Sequence, residues 1–522
     1  MTAVYSNIST SAKARIVYLL LLCAVQFLLG VFYLGSVPRI YIDEAWDASI
    51  GYEFAQTGVL RHPFIHNFGG MEVYFVQPRI LLPLVCAGAF KIAGYSITVS
   101  RLPSLLMGVL AIVALYYISE EFFGGRQSFF ITLALIINIW FWMNSRRCRP
   151  EMYYTALALL FLWVVISYFR RDRALIAFLA GIVAALALLA HPNGLLIIIA
   201  VSIAWIIWKE KPHLLKFVIW ALAGFTLTVL PYVLYVLWAS GQPNVSFLKQ
   251  MQLEYPSIYS SIIVKEIIRW RSFFQLPVGI PLALVMFISW LAAWWKSTAE
   301  DKFAATTVAI YILALPFFSV NCLPDYLLPV VPFFSILIVR FVYRLHEFDF
   351  LNSSRRMYYI AKLIVILVYI VYSLLPVMFM LYQQHDADFN VVVEEVARVI
   401  GPKARIYAEP VFWVGHDRYI YGPYLIVCDT VTVKEALQWA YSQSFEYVVR
   451  TAWDGGGRPP QGFRKVLNRI PKFRPCLIGD NLCKLLGTKV YGFYNEDYGP
   501  VEIYKINWSN AWRWGLKKQD IK

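Results

Sequence analysis

Residues 41–51, YIDEAWDASIG, carry adjacent carboxylates at Asp43 and Glu44 and a third, Asp47, one helical turn beyond Asp43. A carboxylate can cap a helix, hold a cation, or take a proton from a hydroxyl as a general base. Trp46, Ile50 and Phe54 recur every four residues, which predicts a helix from 45 to about 56 lying along a membrane surface. Asp43 and Glu44 fall at its N-terminus, where the helix dipole favours negative charge. Capping accounts for one acid. It leaves the second, and Asp47, for chemistry.

The run NSRRCRPEMYYTAL (144–157) is the second reactive stretch, with Arg146, Arg147 and Arg149 followed by Glu151. Two readings compete. The arginines snorkel to lipid headgroups while Pro150 starts a helix, or their forks clamp a phosphate bidentately.

These residues need a scaffold, and composition says which. The 522-residue chain is 59% hydrophobic and only 15% charged, against about 25% charged in an average soluble protein. That is the composition of a polytopic membrane protein. A net charge of +15 then reflects basic cytoplasmic loops, not nucleic-acid binding. Residues 16–34 lack a signal-peptide cleavage pattern and read as a retained first span. About ten more spans follow, near 102–122, 128–143, 152–169, 174–190, 194–208, 214–238, 278–295, 303–320, 326–343 and 358–381. Lys13, Arg15, Arg126, Arg170, Arg171, Arg173, Lys209, Lys211, Lys216, Lys296, Lys302, Arg344, Arg355, Arg356 and Lys362 all fall on one side of these spans. The positive-inside rule makes that side cytoplasmic. The N-terminus is then inside, and both reactive stretches and the C-terminus are outside.

The expected fold is mainly α: a bundle of about eleven spans over residues 1–383, juxtamembrane helices in the first outer loop, and an extracytoplasmic α/β domain over 384–522. In that domain ARIYAEPVFWV, YLIVCD, EYVVRTAW and VEIYKI read as strands, and VVVEEVARVIG and TVKEALQWAYSQ as helices. WDGGGRPPQG (453–462) is a loop without a phosphate-binding fingerprint. Cys23 and Cys86 sit in apolar runs as packing residues, whereas Cys476 and Cys483 could bridge outside the cell.

In their order these blocks resemble the GT-C glycosyltransferases that use polyprenyl-phosphate sugars, in the branch of the protein O-mannosyltransferases and the lipid A aminoarabinose transferase. The resemblance runs through Asp43-Glu44, the aromatic stretch from Gly70 to Phe75, SRLPSLLMGVLAIVALYY (100–117) and Ser145-Arg146-x-x-Arg149-x-Glu151. LAHPNGLL (189–196) and YLLPVVPFFSILI (326–338) continue it, over most of residues 14–345.

The resemblance implies an inverting enzyme of a bacterial inner or plasma membrane. Its donor would be a polyprenyl-phosphate sugar lying among membrane lipids, its acceptor a lipid, glycan or protein. Asp43 would be the general base, with Glu44 positioning sugar or metal beside it. Arg146 and Arg149 would bind the leaving phosphate and Glu151 the acceptor or sugar hydroxyls. Glu72, Arg79, His191 and Tyr326 would complete the substrate site. The chain departs from the family pattern with Trp46, Met71 and Asp325, so phosphate contacts could pass to Arg79, Arg269 or Arg271. No cofactor is demanded. A divalent metal on Asp43 or Glu44 with His62, His66 or His191 stands against the plainer reading of these histidines as polar loop residues. A transporter or flippase of a lipid-linked or anionic substrate is the alternative function, and would need ionisable groups at mid-membrane. Asp386-Ala-Asp388 matches an acid-x-acid pattern of nucleotide-sugar enzymes that recurs easily by chance.

Overall fold

The computed structural model describes residues 12–63, 69–209, 213–254, 266, 269–270, 279–295, 297–318, 324–347, 355–408, 410–422, 433–451, 482–495 and 498–509. Apolar runs in a bilayer must satisfy their own backbone polar groups, so they coil. In chain order they give α1 (Ala12–Val31), α2 (Ile42–Thr57), α3 (Leu81–Ala93), α4 (Ile97–Phe123) and α5 (Gly125–Ile137). Next come α6 (Ile139–Ser145), α7 (Pro150–Arg171), α8 (Ala174–Ala190), α9 (Pro192–Trp208) and α10 (Leu214–Ser240). Helices Gly279–Ala292, Ala299–Phe318, Val331–Arg344 and Arg355–Gln384 follow.

Among the described residues seven helices are long and apolar enough to cross a membrane, or eight if α5 and α6, bent by 67°, form one broken span. Asn138 makes that break. Its side chain caps α6 by accepting from the N–H groups of Trp140 and Phe141, at 3.0 and 3.3 Å. The helices in three further expected spans, α8, α9 and Gly279–Ala292, have 17, 17 and 14 residues. A count of about eleven therefore exceeds what helix length alone supports.

Ion pairs mark one end of the bundle. Arg15 in the first turn of α1 meets Glu120 at the end of α4, Arg170 meets Glu121, Lys216 meets Asp172, Lys209 meets Glu300, and Arg340 and Arg344 meet Asp301. These are the basic loops of the sequence, brought together. Helices α2 and α3 lie at the opposite end, between the exit of α1 and the start of α4.

Arg146 fastens that opposite end. The last turn of a helix leaves carbonyls without intrahelical donors, and here Arg146 supplies them. Its Nη1 donates to Leu29 O and Gly30 O at 2.7 and 2.9 Å, its Nη2 to Phe32 O, and its Nε to Val37 O at 2.9 Å. Trp142 lies 4.6 Å beneath the guanidinium. The side chain is fully buried. Arg146→Ala should therefore lower the unfolding temperature in detergent sharply, since each orphaned buried carbonyl costs about 1–3 kcal/mol. Arg146→Lys should recover only part, as an ammonium lacks the planar fork.

Beyond Gln384 the chain forms a five-stranded mixed sheet in the order β2-β1-β3-β5-β4, built from β1 (Arg405–Tyr407), β2 (Ile420–Tyr421), β3 (Tyr447–Thr451), β4 (Gly487–Asn495) and β5 (Gly499–Ile506). β1 runs parallel to β2 and β3, and β5 antiparallel to β3 and β4. Helix Phe389–Ile400 covers it with Phe389, Val392, Val393 and Val396, in one core with Ile40 and Ile97 from the helical part. ARIYAEPVFWV is a strand only over 405–407, after which Pro410–Gly415 turns into a short 3₁₀ helix. Pro410 has no N–H for a ladder, which fits that change. β2 and β4 fall on residues where no strand is expected from the sequence. YLIVCD, the 453–462 loop and Cys476 lie outside the described residues.

Candidate active site

Neighbouring residues on a helix point about 100° apart, so Asp43 and Glu44 cannot share a task. Glu44 turns inward. Its carboxylate accepts from Tyr41 N–H at 2.9 Å, from Arg101 Nε and Nη2 at 2.8 and 2.9 Å, and from Cys148 N–H at 3.0 Å. It thus serves as the N3 acid that reaches back to the N-cap of α2 and as the buried partner of Arg101. Both oxygens are spent on structure. The sugar or metal contact expected of Glu44 would have to compete with Arg101, Tyr41 N–H and Cys148 N–H for these oxygens.

Asp43 points the other way, and its Oδ2 accepts from Arg149 Nη1 at 2.7 Å. Arg149 also grips Glu151 bidentately, through Nε and Nη2 at 2.9 and 2.7 Å. Asp325 closes the group. Its Oδ2 lies 3.9 Å from Arg149, its Oδ1 lies 3.8 Å from Arg147, and Oδ1 accepts from Asn144 at 3.2 Å. The Tyr41 ring lies 4.9 Å below Arg149 and 5.4 Å from Arg147. Exposure separates these acids: the Asp43 side chain is 39% exposed, against 0% for Glu151 and 5% for Asp325. In this group only Asp43 offers a carboxylate to an incoming molecule.

His191 caps α9, its Nδ1 accepting from Asn193 N–H at 3.1 Å. Its ring stands between Tyr154 and Tyr326, 5.7 and 5.5 Å away. The Tyr326 carbonyl accepts from Tyr311 OH at 2.8 Å. Glu72 is half-buried, and Arg269 is fully buried against Glu266. Arg147, 15% exposed, has a freer guanidinium than Arg146, whose fork is consumed by backbone carbonyls. Of the two arginines expected to bind phosphate, Arg146 is turned to the carbonyls of residues 29, 30, 32 and 37, and Arg149 to Asp43 and Glu151. Asp325 and Arg101 join these groups in the fold without being expected there from the sequence. An arginine at the start of an apolar span requires a buried acid, and that signal was available for Arg101.

Asp47 is buried 3.4 Å from Arg79. Burial pushes its carboxyl up to about 7 despite Arg79, with the negative charges of Asp43 and Glu151 adding to the rise and Arg149 opposing it. The folded state therefore takes up a proton below about pH 7 that the unfolded state takes only near the ordinary carboxylate value of about 3.9. The resulting stability is full below that lower value and is lost as pH rises through about 7. Unfolding temperatures of wild type and Asp47→Asn in detergent should diverge over this window, the variant losing less between pH 5 and 8.

His62 packs against Trp46 at 4.2 Å, and burial holds its pKa well below the usual range, Arg79 adding to the effect. His66 and Arg271 lie outside the described residues. Among those residues no three His, Cys, Asp or Glu side chains are grouped to hold a metal. Asp388 accepts from Asn390 N–H at 2.9 Å and caps the helix Phe389–Ile400, which explains the acid-x-acid pattern without a nucleotide.

Residues 77–238, which include Arg79, Arg101, Arg147, Arg149, Glu151 and His191, match the family model of dolichyl-phosphate-mannose-protein mannosyltransferases. The fold matches ArnT from Cupriavidus metallidurans bound to undecaprenyl phosphate, with TM-score 0.59, 12% identity, and 95% and 98% of the two chains covered. The chain has a GT-C glycosyltransferase fold and resembles the ArnT and protein mannosyltransferase branch. A second GT-C likeness is to the oligosaccharyltransferase of Archaeoglobus fulgidus, with TM-score 0.55, 11% identity, and 94% of this chain and 74% of that one covered. Among curated proteins none matches by sequence. Family match and GT-C fold together support an integral-membrane glycosyltransferase.

Proposed function

We propose that this protein takes a sugar from a polyprenyl-phosphate donor and passes it, with inversion, to a hydroxyl or phosphate acceptor on the outer face of the membrane. The observation that carries the reading is Asp43, an accessible carboxylate held against the buried Arg149–Glu151 pair in a GT-C fold. The acceptor oxygen attacks the anomeric carbon as its proton passes to Asp43. The bond from that carbon to the phosphate oxygen breaks, and the polyprenyl phosphate leaves with the electron pair. Fixed cations stabilise that developing charge, and Arg147 and Arg149 are the cations beside Asp43 and Asp325. Glu151 keeps Arg149 aimed, and His191, Tyr326 and Glu72 border the sugar. The ArnT structure with undecaprenyl phosphate supports a lipid-phosphate donor. The site's ionisable groups gather at one end of the bundle, whereas a transporter would spread them to mid-membrane.

The test is transfer itself. Purified protein in detergent is given polyprenyl-phosphate sugars and an envelope extract, and the new linkage is read by nuclear magnetic resonance. A transferred sugar of inverted anomeric configuration is the expected product. Retention of configuration, or turnover only with nucleotide sugars, would overturn the reading.

A further inference from the structure

Cys86 sits midway along α3, and Cys148 lies in the irregular turn between α6 and α7, one residue before Arg149. Their sulfurs are 3.5 Å apart across a sequence separation of 62, and both side chains are fully buried. Cys86 is also pressed against α2, since a Cβ added at Gly51 would meet the Cβ of Cys86 at 2.9 Å and Pro83 O at 2.8 Å. The backbone of Cys148 is held from the other side, its N–H bonded to Glu44 at 3.0 Å. Two fixed backbones therefore aim two thiols at each other. A bond between them would bring the sulfurs to about 2.05 Å.

We propose that Cys86 and Cys148 are joined by a disulfide in the mature protein, bracing the turn that carries Arg149. The proposal rests on the outward-facing reading of this end of the bundle, because thiols on the cytoplasmic side stay reduced. A thiolate of one cysteine attacks the disulfide of an extracytoplasmic thiol oxidant, and the second cysteine displaces the oxidant from the mixed disulfide. The two cysteines together lose two protons and two electrons, and the oxidant leaves as a dithiol. The exchange belongs to folding, before the site closes. Once buried, Cys148 has its pKa raised well above the usual thiol range by its hydrogen bond with Cys86 and by desolvation, so it holds too little thiolate to react.

Wild-type protein purified without reductant is denatured in N-ethylmaleimide and mapped by mass spectrometry. The expected result is a cross-linked pair of peptides containing Cys86 and Cys148 that separates on reduction, with Cys23 alkylated in the same sample. Reductant should also lower the unfolding temperature by several degrees in wild type, and not in the variant carrying Cys86→Ser with Cys148→Ser. Sidedness is read separately, by labelling Thr57→Cys at the exposed end of α2 with a membrane-impermeant maleimide on intact cells. Labelled Thr57→Cys with Cys86 and Cys148 both alkylated overturns the disulfide alone. Unlabelled Thr57→Cys that labels after lysis, with both cysteines alkylated, overturns the outward-facing reading and the disulfide together.

Discussion

Asp43→Asn should lower sugar transfer by about 10²–10⁴-fold, the usual worth of a general base, while the protein stays folded. The amide has the shape of the carboxylate but cannot take the acceptor's proton. Folding is spared for two reasons that the geometry makes specific. The N-terminus of α2 is capped from Glu44, whose carboxylate accepts from Tyr41 N–H, so the cap survives the change. Arg149 keeps its bidentate contact with Glu151, so no buried charge is orphaned. Turnover of the purified variant at saturating donor, beside its unfolding curve, is the measurement. Near-normal turnover would remove Asp43 from the chemistry.

Arg149→Ala should fail on both counts. It strips the partner from the fully buried Glu151 carboxylate, a loss of about 3–5 kcal/mol for a broken buried pair, and it removes a cation from the leaving phosphate. Stability and function can be separated by replacing the pair with apolar side chains, Arg149→Met together with Glu151→Leu. Such swaps are often neutral for folding. The double variant should regain most of the unfolding temperature and none of the transfer. Transfer at the wild-type rate would reduce Arg149 to a structural brace. Arg147→Ala, at a more exposed position, should raise the donor KM with little change in stability.

The architecture was legible because a bilayer permits few solutions. Long apolar runs had to be helices, and basic loops had to gather at one end, where Arg15, Arg170, Lys209 and Lys216 indeed find their acids. The lower span count comes from α8, α9 and Gly279–Ala292, whose apolar stretches are real but whose helices are short. Within the site, residue type was readable and orientation was not. Three arginines in NSRRCRPE look equivalent in a string. Only the fold reveals that Arg146 turns to the carbonyls of α1, while Arg149 turns to Asp43. Asp325 was hidden for a similar reason: its partners, Asn144, Arg147 and Arg149, lie far along the chain.

The opposed directions of Asp43 and Glu44 mean that the acidic pair has a polarity, although a pattern written as two acids is symmetric. Exchanging them, Asp43→Glu with Glu44→Asp, would keep charge, composition and volume. It would nevertheless draw one carboxylate about a methylene short of the Arg101 fork and push the other a methylene further toward Arg149. A charge-preserving exchange of neighbours would then fail as a double loss, and motifs that accept either order would gather proteins in which this site is not assembled.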